Sequence, residues 1–144
     1  MTTPIEDKDA IRELFSEYCF RMDEARYAEL GALFLPDGLW IAPYATARGP
    51  AEVAALMAAN IPPEPKRKHF IMNSLIALDG DRATARTSYL VILQATGAAM
   101  LPSVAGTYED VLARTPDGWR FRERRLVHEL RAELGLNLPS TRRP

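Results

Sequence analysis

The clearest pattern in the chain is a helical repeat of apolar residues near the N-terminus. The repeat runs from residue 11 to residue 22, mostly in steps of three and four, which places its members on one face of an α-helix. The members are Ile11, Leu14, Phe15, Tyr18, Cys19 and Met22. Thr3, Pro4 and Glu6 supply an N-cap, a first-turn proline and a capping-box acid ahead of the repeat. The pattern therefore predicts a long helix that starts near Pro4 and buries one face.

Weaker patterns predict two more helices before the middle of the chain. The second helix is expected near residues 25–35, where the sequence Leu-Pro-Asp-Gly at 35–38 would end it. Residues 39–41 form a short strand candidate, and Gly49-Pro50 opens the third helix. The prolines between residues 61 and 65 exclude both a helix and a central strand. This segment is predicted to be a stiff connector within one domain.

The second half of the chain has the pattern of long strands joined by tight turns. Residues 68–78 and 82–93 flank Asp-Gly-Asp, and residues 104–114 and 119–130 flank Thr-Pro-Asp-Gly. Residues 95–103 are predicted to be a longer loop. Three helices followed by an antiparallel meander indicate an α+β fold, with the helices packed on one face of a curved sheet.

The strand predicted over residues 68–78 is apolar on both faces. Strand alternation places Phe70, Met72, Ile76 and Leu78 on one side and Ile71, Leu75 and Ala77 on the other. A sheet with one solvated face would alternate between apolar and polar residues. The helices can cover only one face, so we expect another copy of the chain to cover the outer face, in a homodimer or homotrimer.

Length and composition indicate one ordinary globular domain. The chain has 144 residues, of which 47% are hydrophobic and 26% charged. The domain is predicted to span residues 1–135, with a loose tail over 136–144. The net charge of −1 disfavours nucleic acid as a partner. No apolar run reaches the roughly 18 residues of a membrane span, and the acidic N-terminus is unlike a signal peptide, so we expect a cytoplasmic protein.

Cysteine, histidine and motif content also limit the possible chemistry. One cysteine excludes an internal disulfide and a multi-cysteine zinc site, and two histidines leave little for a metal. The chain lacks G-x-G-x-x-G, a P-loop, G-x-S-x-G, H-E-x-x-H and C-x-x-C. We therefore expect no metal and no nucleotide cofactor. Acid–base chemistry without a cofactor suits the residues that remain.

Two polar residues stand out against apolar surroundings. Asp23 follows Phe15 and Cys19 at steps of four, so it lies on the apolar row at the C-terminal end of the first helix. Burial and the negative end of the helix dipole both disfavour its charged form, so Asp23 is expected to be either a neutral acid or a carboxylate with a partner. His69 opens the apolar strand, and Asn73 follows four residues later on the same predicted face. Asp23 is a natural partner for His69 if the helix crosses the strand; alternatively, they are a helix-end residue and a satisfied core histidine.

Other candidates have plainer interpretations. His128 shares its strand parity with Arg120, Arg122, Arg124 and Leu126, so that face is predicted to be mostly solvated. Cys19 belongs to the helical repeat and is predicted to be a buried structural thiol. Several large side chains are candidates for a pocket wall or for the core: Tyr18, Met22, Trp40, Tyr44, Met57, Tyr89 and Tyr108.

The order of several short motifs resembles SnoaL-like proteins of the nuclear transport factor 2 (NTF2-like) superfamily. The segment 9–18 with Asp23 resembles their first helix, and residues 33–38 resemble the exit from their second helix. Residues 69–73, 106–110 and 117–121 resemble their strands, so the similarity covers about residues 5–130. The resemblance implies a cone-shaped fold, in which a curved, mostly antiparallel sheet wraps around the helices and encloses a pocket.

Within that superfamily, the sub-group that includes scytalone dehydratase pairs an aspartate at the end of helix one with a histidine opening the first long strand. Asp23 and His69 match those positions. The resemblance implies that Asp23 holds and polarises the imidazole, that His69 moves the proton and that Asn73 lines the same wall. Three other residues of that enzyme are not matched here. The region of its second pocket histidine reads Val-Ile-Leu-Gln at 91–94, and its tyrosine beside the aspartate is Met22 in this chain. Its water-holding tyrosine has no direct match, and Tyr44 is the tyrosine near that position.

The sequence thus predicts a cofactor-independent lyase or isomerase that resembles a dehydratase. Its substrate would be a small cyclic, mostly apolar carbonyl compound, such as a polyketide, steroid, terpenoid or aromatic metabolite. Two alternatives stay open at this stage. In the first, the chain is a non-catalytic binding protein or structural subunit, like the small subunit of ring-hydroxylating dioxygenases. In the second, it is an enzyme that adds water to an epoxide, although the Asp-Arg-Asp arrangement required for that reaction is not found.

Overall fold

The computed structural model describes residues 1–132 as three helices and six strands. The elements are α1 Pro4–Asp23, α2 Tyr27–Gly31, β1 Phe34–Ala42, β2 Ala45–Arg48, α3 Gly49–Asn60, β3 Lys66–Asp79, β4 Arg82–Gln94, β5 Leu101–Thr115 and β6 Gly118–Arg131. The tail predicted over 136–144 and the domain end predicted at residue 135 lie outside the described residues.

The strands form one sheet in the order β2-β1-β6-β5-β4-β3. Every neighbouring pair is antiparallel except β1 and β6, which are parallel. The two long hairpins β3–β4 and β5–β6 supply most of the sheet, as the two turn sequences predicted. The helices pack on its inner face, where α1 contacts β3 and β6. This is an α+β cone fold of the NTF2-like type, and it confirms the predicted architecture.

The first helix forms as its sequence predicts. The Thr3 hydroxyl accepts a hydrogen bond from the backbone N–H of Glu6, and the Glu6 carboxylate accepts one from the backbone of Thr3. All six members of the apolar repeat are buried. They pack against residues of β5 and β6 that include Leu112 and Phe121, both fully buried. The helix thus lies across the sheet and ends at Asp23, beside the start of β3.

Some predicted boundaries were wrong in the first half of the chain. The second helix has only five residues, because β1 begins at Phe34 and pairs with Phe121 of β6. The predicted helix stop at 35–38 is instead an irregular part of β1, where the register shifts before Leu39. Strand β2 was not predicted, and β5 begins at Leu101, inside the predicted loop. The third helix does open at Gly49.

Strand β3 contains a bulge that changes which residues face outward. Ile71 pairs with Tyr89 and Ser74 pairs with Thr87, so β3 has one extra residue between these pairs. Beyond the bulge the alternation is reversed, and Leu75 and Ala77 are exposed while Ile76 and Leu78 are half-buried. The predicted faces were therefore wrong from Asn73 onward. The outer face of β3 still carries large apolar side chains.

We propose that a second copy of the chain covers this outer face of β3. Phe70, Met72 and Leu75 are 47%, 52% and 75% exposed, and clustered exposed apolar side chains are typical of an interface. We expect light scattering to give the mass of an oligomer for the native chain and a smaller mass for Met72→Glu. Met100→Glu, at another exposed methionine, is the matched control. A monomeric native chain would contradict the proposal.

Candidate active site

The structure brings Asp23 and His69 into direct contact. The His69 ring nitrogen Nδ1 lies 2.6 Å from Asp23 Oδ1, although the two residues are 46 positions apart in sequence. The backbone N–H of His69 also donates to both carboxylate oxygens, each at 3.1 Å. The two side chains are nearly buried, at 7% exposed for Asp23 and 11% for His69. The predicted partnership between helix end and strand start is thus present in the structure.

These hydrogen bonds give the imidazole a defined orientation. A carboxylate only accepts hydrogen bonds, so Asp23 favours the tautomer of His69 with its proton on Nδ1. Nε2 is then the nitrogen that can take a proton from a bound molecule. Asp23 thus holds the ring of His69 at Nδ1, on the side away from Nε2. Lys68 Nζ lies 3.6 Å from the other carboxylate oxygen of Asp23, and the Lys68 side chain is 51% exposed.

His69 faces a cavity of about 150 Å³ between the helices and the sheet. A cavity of this size holds a molecule of about the size of benzene. Most of the sequence-predicted pocket residues line it: Tyr18, Met22, Trp40, Tyr44, Met57, Tyr89 and Tyr108. Leu56, Val91, Leu93 and Leu126 add further apolar surface. The walls therefore suit a small, mostly apolar molecule with a few polar groups.

Asn73 does not belong to this cavity wall. It was predicted to share the face of His69, but the bulge of β3 lies between the two residues. Asn73 is exposed, and Ser74 takes the inward position, with its hydroxyl 2.9 Å from that of Thr87. The prediction failed because one inserted residue exchanges the two faces of a strand.

Tyr18 places a hydroxyl group in the cavity wall. The indole N–H of Trp40 donates to the Tyr18 hydroxyl at 2.9 Å, and both side chains are buried. Burial raises the pKa of Tyr18, so the hydroxyl stays neutral and keeps a proton to donate. Burial likewise raises the pKa of the Cys19 thiol to about 11. Cys19 is thus an unreactive thiol, in agreement with its predicted structural role.

The structure also places the second histidine, His128, in the cavity wall. Strand β6 has one extra residue between the positions opposite Val111 and Leu112. This bulge turns Arg124, Leu126 and His128 inward, so the prediction that His128 lies on a solvated face was wrong. The apolar positions give a signal that could have revealed the bulge. The apolar residues Trp119 and Phe121 are odd-numbered, whereas Leu126 further along the strand is even-numbered. Such a change between odd and even positions is what one extra residue in a strand produces.

Burial sets the charge state of His128. Burial, with a smaller effect of the positive charge of Arg131, lowers the pKa of His128 to about 4. The ring is therefore neutral at pH 7. Its centroid lies 6.1 Å from that of Tyr44 and 6.3 Å from that of Tyr89. The cavity thus has two imidazoles in different environments, since only His69 contacts a carboxylate within the described residues.

Arg124, another of the arginines predicted on the solvated face, is also fully buried. Its guanidinium forms two hydrogen bonds of 2.8 Å with the Asp110 carboxylate. The guanidinium also lies over the rings of Tyr18 and Tyr108, at 4.3 and 4.0 Å from their centroids. The ion pair therefore supports, from behind, two aromatic side chains of the cavity wall.

Within residues 1–132, no group of three or more His, Cys, Asp or Glu side chains is arranged to hold a metal ion. In the same part of the chain, no helix is long and apolar enough to cross a membrane.

Comparison with known proteins agrees with this fold and identifies the family. The family model described as a SnoaL-like domain matches residues 3–125, so the chain belongs to the SnoaL-like family. The uncharacterized protein Rv2910c of Mycobacterium tuberculosis is 26% identical over 125 residues, with 83% of this chain and 84% of that protein covered.

Solved structures show the same architecture. An NTF2-like protein with a cystatin-like fold from Novosphingobium aromaticivorans is 30% identical, with a TM-score of 0.77 over 85% of this chain and 81% of that chain. A scytalone dehydratase-like protein from the same organism has a TM-score of 0.79 at 22% identity, with 97% of both chains covered. At that identity the second likeness shows the fold alone.

Proposed function

We propose that the protein is a cofactor-independent lyase or isomerase, in which His69 and Asp23 transfer a proton on a small cyclic, mostly apolar carbonyl compound. The observation that carries the proposal is the 2.6 Å contact between Asp23 and the His69 ring at the wall of a cavity. A protein that only binds a ligand has no need for this contact. The contact leaves Nε2 of His69 as the base, which is the arrangement that general base catalysis requires.

The chemistry follows from the tautomer of His69. Nε2 takes a proton from a carbon next to a carbonyl group, and the electron pair of that C–H bond moves toward the carbonyl oxygen. The imidazolium that forms is stabilised by the Asp23 carboxylate. In a dehydration, the proton then goes to a leaving hydroxyl group, so that water leaves and a carbon–carbon double bond forms. In an isomerisation, the proton returns to another carbon of the conjugated system.

The cavity supports a small and mostly apolar substrate. Its size fits one ring, and its walls include Trp40, Met57 and Leu93. A ring that fills the cavity displaces water from these walls, so the charge that develops during proton transfer interacts more strongly with the hydrogen-bonding groups of the protein. The same walls provide binding energy from burial of the apolar ring.

The proposal is tested with one-ring carbonyl compounds of three kinds: cyclic ketones, β-hydroxyketones and β,γ-unsaturated ketones. NMR in deuterated water detects proton exchange in the first, loss of water in the second and movement of the double bond in the third. A protein of the proposed function accelerates at least one of these reactions. Tight binding of these compounds without any of the three reactions would instead indicate a carrier.

The Asp23→Asn variant tests the role of the carboxylate. We expect slower turnover and a changed pH profile, because an amide cannot stabilise the imidazolium of His69 as a carboxylate does. The measurement is kcat against pH on whichever compound the native protein converts. Asp9→Asn is the matched control, since Asp9 is an exposed carboxylate of the same helix that pairs only with Arg12 among the described residues. An unchanged profile in Asp23→Asn would show that Asp23 is only a helix-end residue.

A further inference from the structure

Two buried polar atoms in the cavity wall have no hydrogen-bond partner among the described residues. They are the hydroxyl oxygen of Tyr89 and the Nδ1 nitrogen of His128. Tyr89 is 2% exposed, and both residues line the cavity that His69 faces. Buried polar groups are nearly always hydrogen-bonded, because an unpaired one loses its hydration without compensation. A pair of such atoms in one cavity therefore indicates a group that binds there.

The sheet register explains how these two side chains come together. Tyr89 of β4 pairs with Gly106 of β5, and Gly106 pairs with His128 of β6. Glycine has no side chain to separate the two rings, and a Cβ atom on Gly106 would collide with the carbonyl oxygen of Val127 and lie 3.2 Å from the Tyr89 ring. Tyr89 is further fixed by stacking on Tyr108, with ring centroids 4.2 Å apart. The two polar groups are therefore held in place before any ligand binds.

Both groups are neutral at pH 7, which defines the chemistry of the ligand atom. Burial raises the pKa of Tyr89, so its hydroxyl remains a donor. Burial lowers the pKa of His128 to about 4, so its ring has one donor and one acceptor nitrogen. An uncharged carbonyl or hydroxyl oxygen fits such a pair. In the His128 tautomer with its proton on Nδ1, both groups donate to that oxygen, and a partial negative charge on it is favoured by the two donors and by the nearby positive charge of Arg131.

His128 lies across the cavity from His69, while Tyr89 lies between them in the sheet, on β4 next to β3 and opposite Ile71. His69 is on β3, at one edge of the sheet, and His128 is three strands away on β6. Three strand spacings correspond to about 14 Å along the sheet. The sheet is curved and both side chains point into one cavity, so a one-ring molecule between them can contact both.

We propose that Tyr89 and His128 bind the carbonyl oxygen of the substrate while His69 faces the carbon that loses its proton. This inference rests on the proposed function and deepens it, since it specifies a second polar group on the substrate. As the C–H bond breaks, its electron pair moves to the oxygen, directly or through a conjugated ring, and an enolate forms. Hydrogen bonds from Tyr89 and His128 to that oxygen strengthen as its charge grows.

The probe for this oxygen site is 4-nitrophenol, a one-ring compound whose ionised form resembles an enolate. The absorbance of the phenolate reports both its binding and its ionisation. We expect the pKa of the bound probe to be lower than that of the free probe. Loss of a hydrogen bond to a charged oxygen weakens binding by about tenfold or more, so we expect this loss in Tyr89→Phe and in His128→Phe. Tyr27→Phe is the matched control, because its hydroxyl donates to the Ile61 carbonyl and Tyr27 does not line the cavity.

The His69→Ala variant separates this inference from the proposed function. If His69→Ala keeps probe affinity within about twofold while Tyr89→Phe loses it, the oxygen binds at Tyr89 as proposed. If His69→Ala loses the affinity and Tyr89→Phe keeps it, the oxygen lies beside His69 and the inference is wrong, although proton transfer by His69 can still stand. Equal affinity in all variants also overturns the inference.

A second measurement does not depend on affinity. The chain has two histidines, so the ring signals of His128 are identified in NMR spectra by their loss in His128→Phe. We expect those signals to titrate with a midpoint near pH 4 and to shift at neutral pH when 4-nitrophenol is added. Saturation with the probe without any shift of the His128 signals would rule out contact with this ring.

Discussion

His69→Ala is expected to abolish measurable turnover of any true substrate while leaving the fold nearly intact. General acid–base catalysis by a positioned side chain contributes about 10²–10⁴-fold to a rate. His69 is the only cavity residue in the described chain whose ring contacts a carboxylate, and burial disfavours the protonated form of the other cavity imidazole, His128, so we expect His128 not to take over this role. The measurement is kcat for the native protein and the variant on the same compound, with circular dichroism to compare their folding.

The control for this variant lies on the same strand. Lys66 is exposed at the start of β3, and Lys66→Ala is expected to retain full activity. Added imidazole offers a further test, because the space left by the His69 ring can admit the free base and restore part of the rate. Full activity in His69→Ala would remove the proton-transfer role and favour a binding protein.

The local parts of this site could be predicted from the sequence. A carboxylate in line with an apolar helical repeat identified Asp23, and a histidine at the start of an apolar strand identified His69. Their contact joins residues 46 positions apart, and no spacing rule predicts such a contact. Resemblance to SnoaL-like proteins supplied that link. The hairpin turns, in contrast, were predictable because Asp-Gly sequences determine the chain reversal locally.

The errors at Asn73 and His128 share one physical cause. Strand alternation assigns faces correctly only while the pairing stays regular, and a bulge adds one residue to one strand. The bulge in β3 moved Asn73 out of the cavity, and the bulge in β6 moved His128 into it. The cavity therefore has a second imidazole, that of His128, on β6 and not on β4. Sequence comparison at the expected position alone would not find it.

The second large effect is expected from the buried ion pair behind the cavity. Asp110 and Arg124 have fully buried side chains, and burial alone would lower the pKa of Arg124, but the Asp110 carboxylate outweighs this and raises it. Asp110→Asn leaves the guanidinium charged and without its carboxylate. Removal of one partner of a buried pair destabilises a protein by about 3–5 kcal/mol. The free energy of unfolding of a typical domain is about 5–15 kcal/mol, so this loss is a large part of the total.

Urea unfolding followed by the fluorescence of Trp40 and Trp119 measures this loss, since both indoles are buried in the folded chain. Glu123→Gln is the matched control, because the Glu123–Arg125 pair is partly exposed and such pairs contribute at most about 1 kcal/mol. The double variant Asp110→Leu with Arg124→Met is expected to recover much of the stability, because it removes both buried charges together. If Asp110→Asn unfolded at the same urea concentration as Glu123→Gln, the buried ion pair would contribute no more to the stability of the fold than the partly exposed pair does.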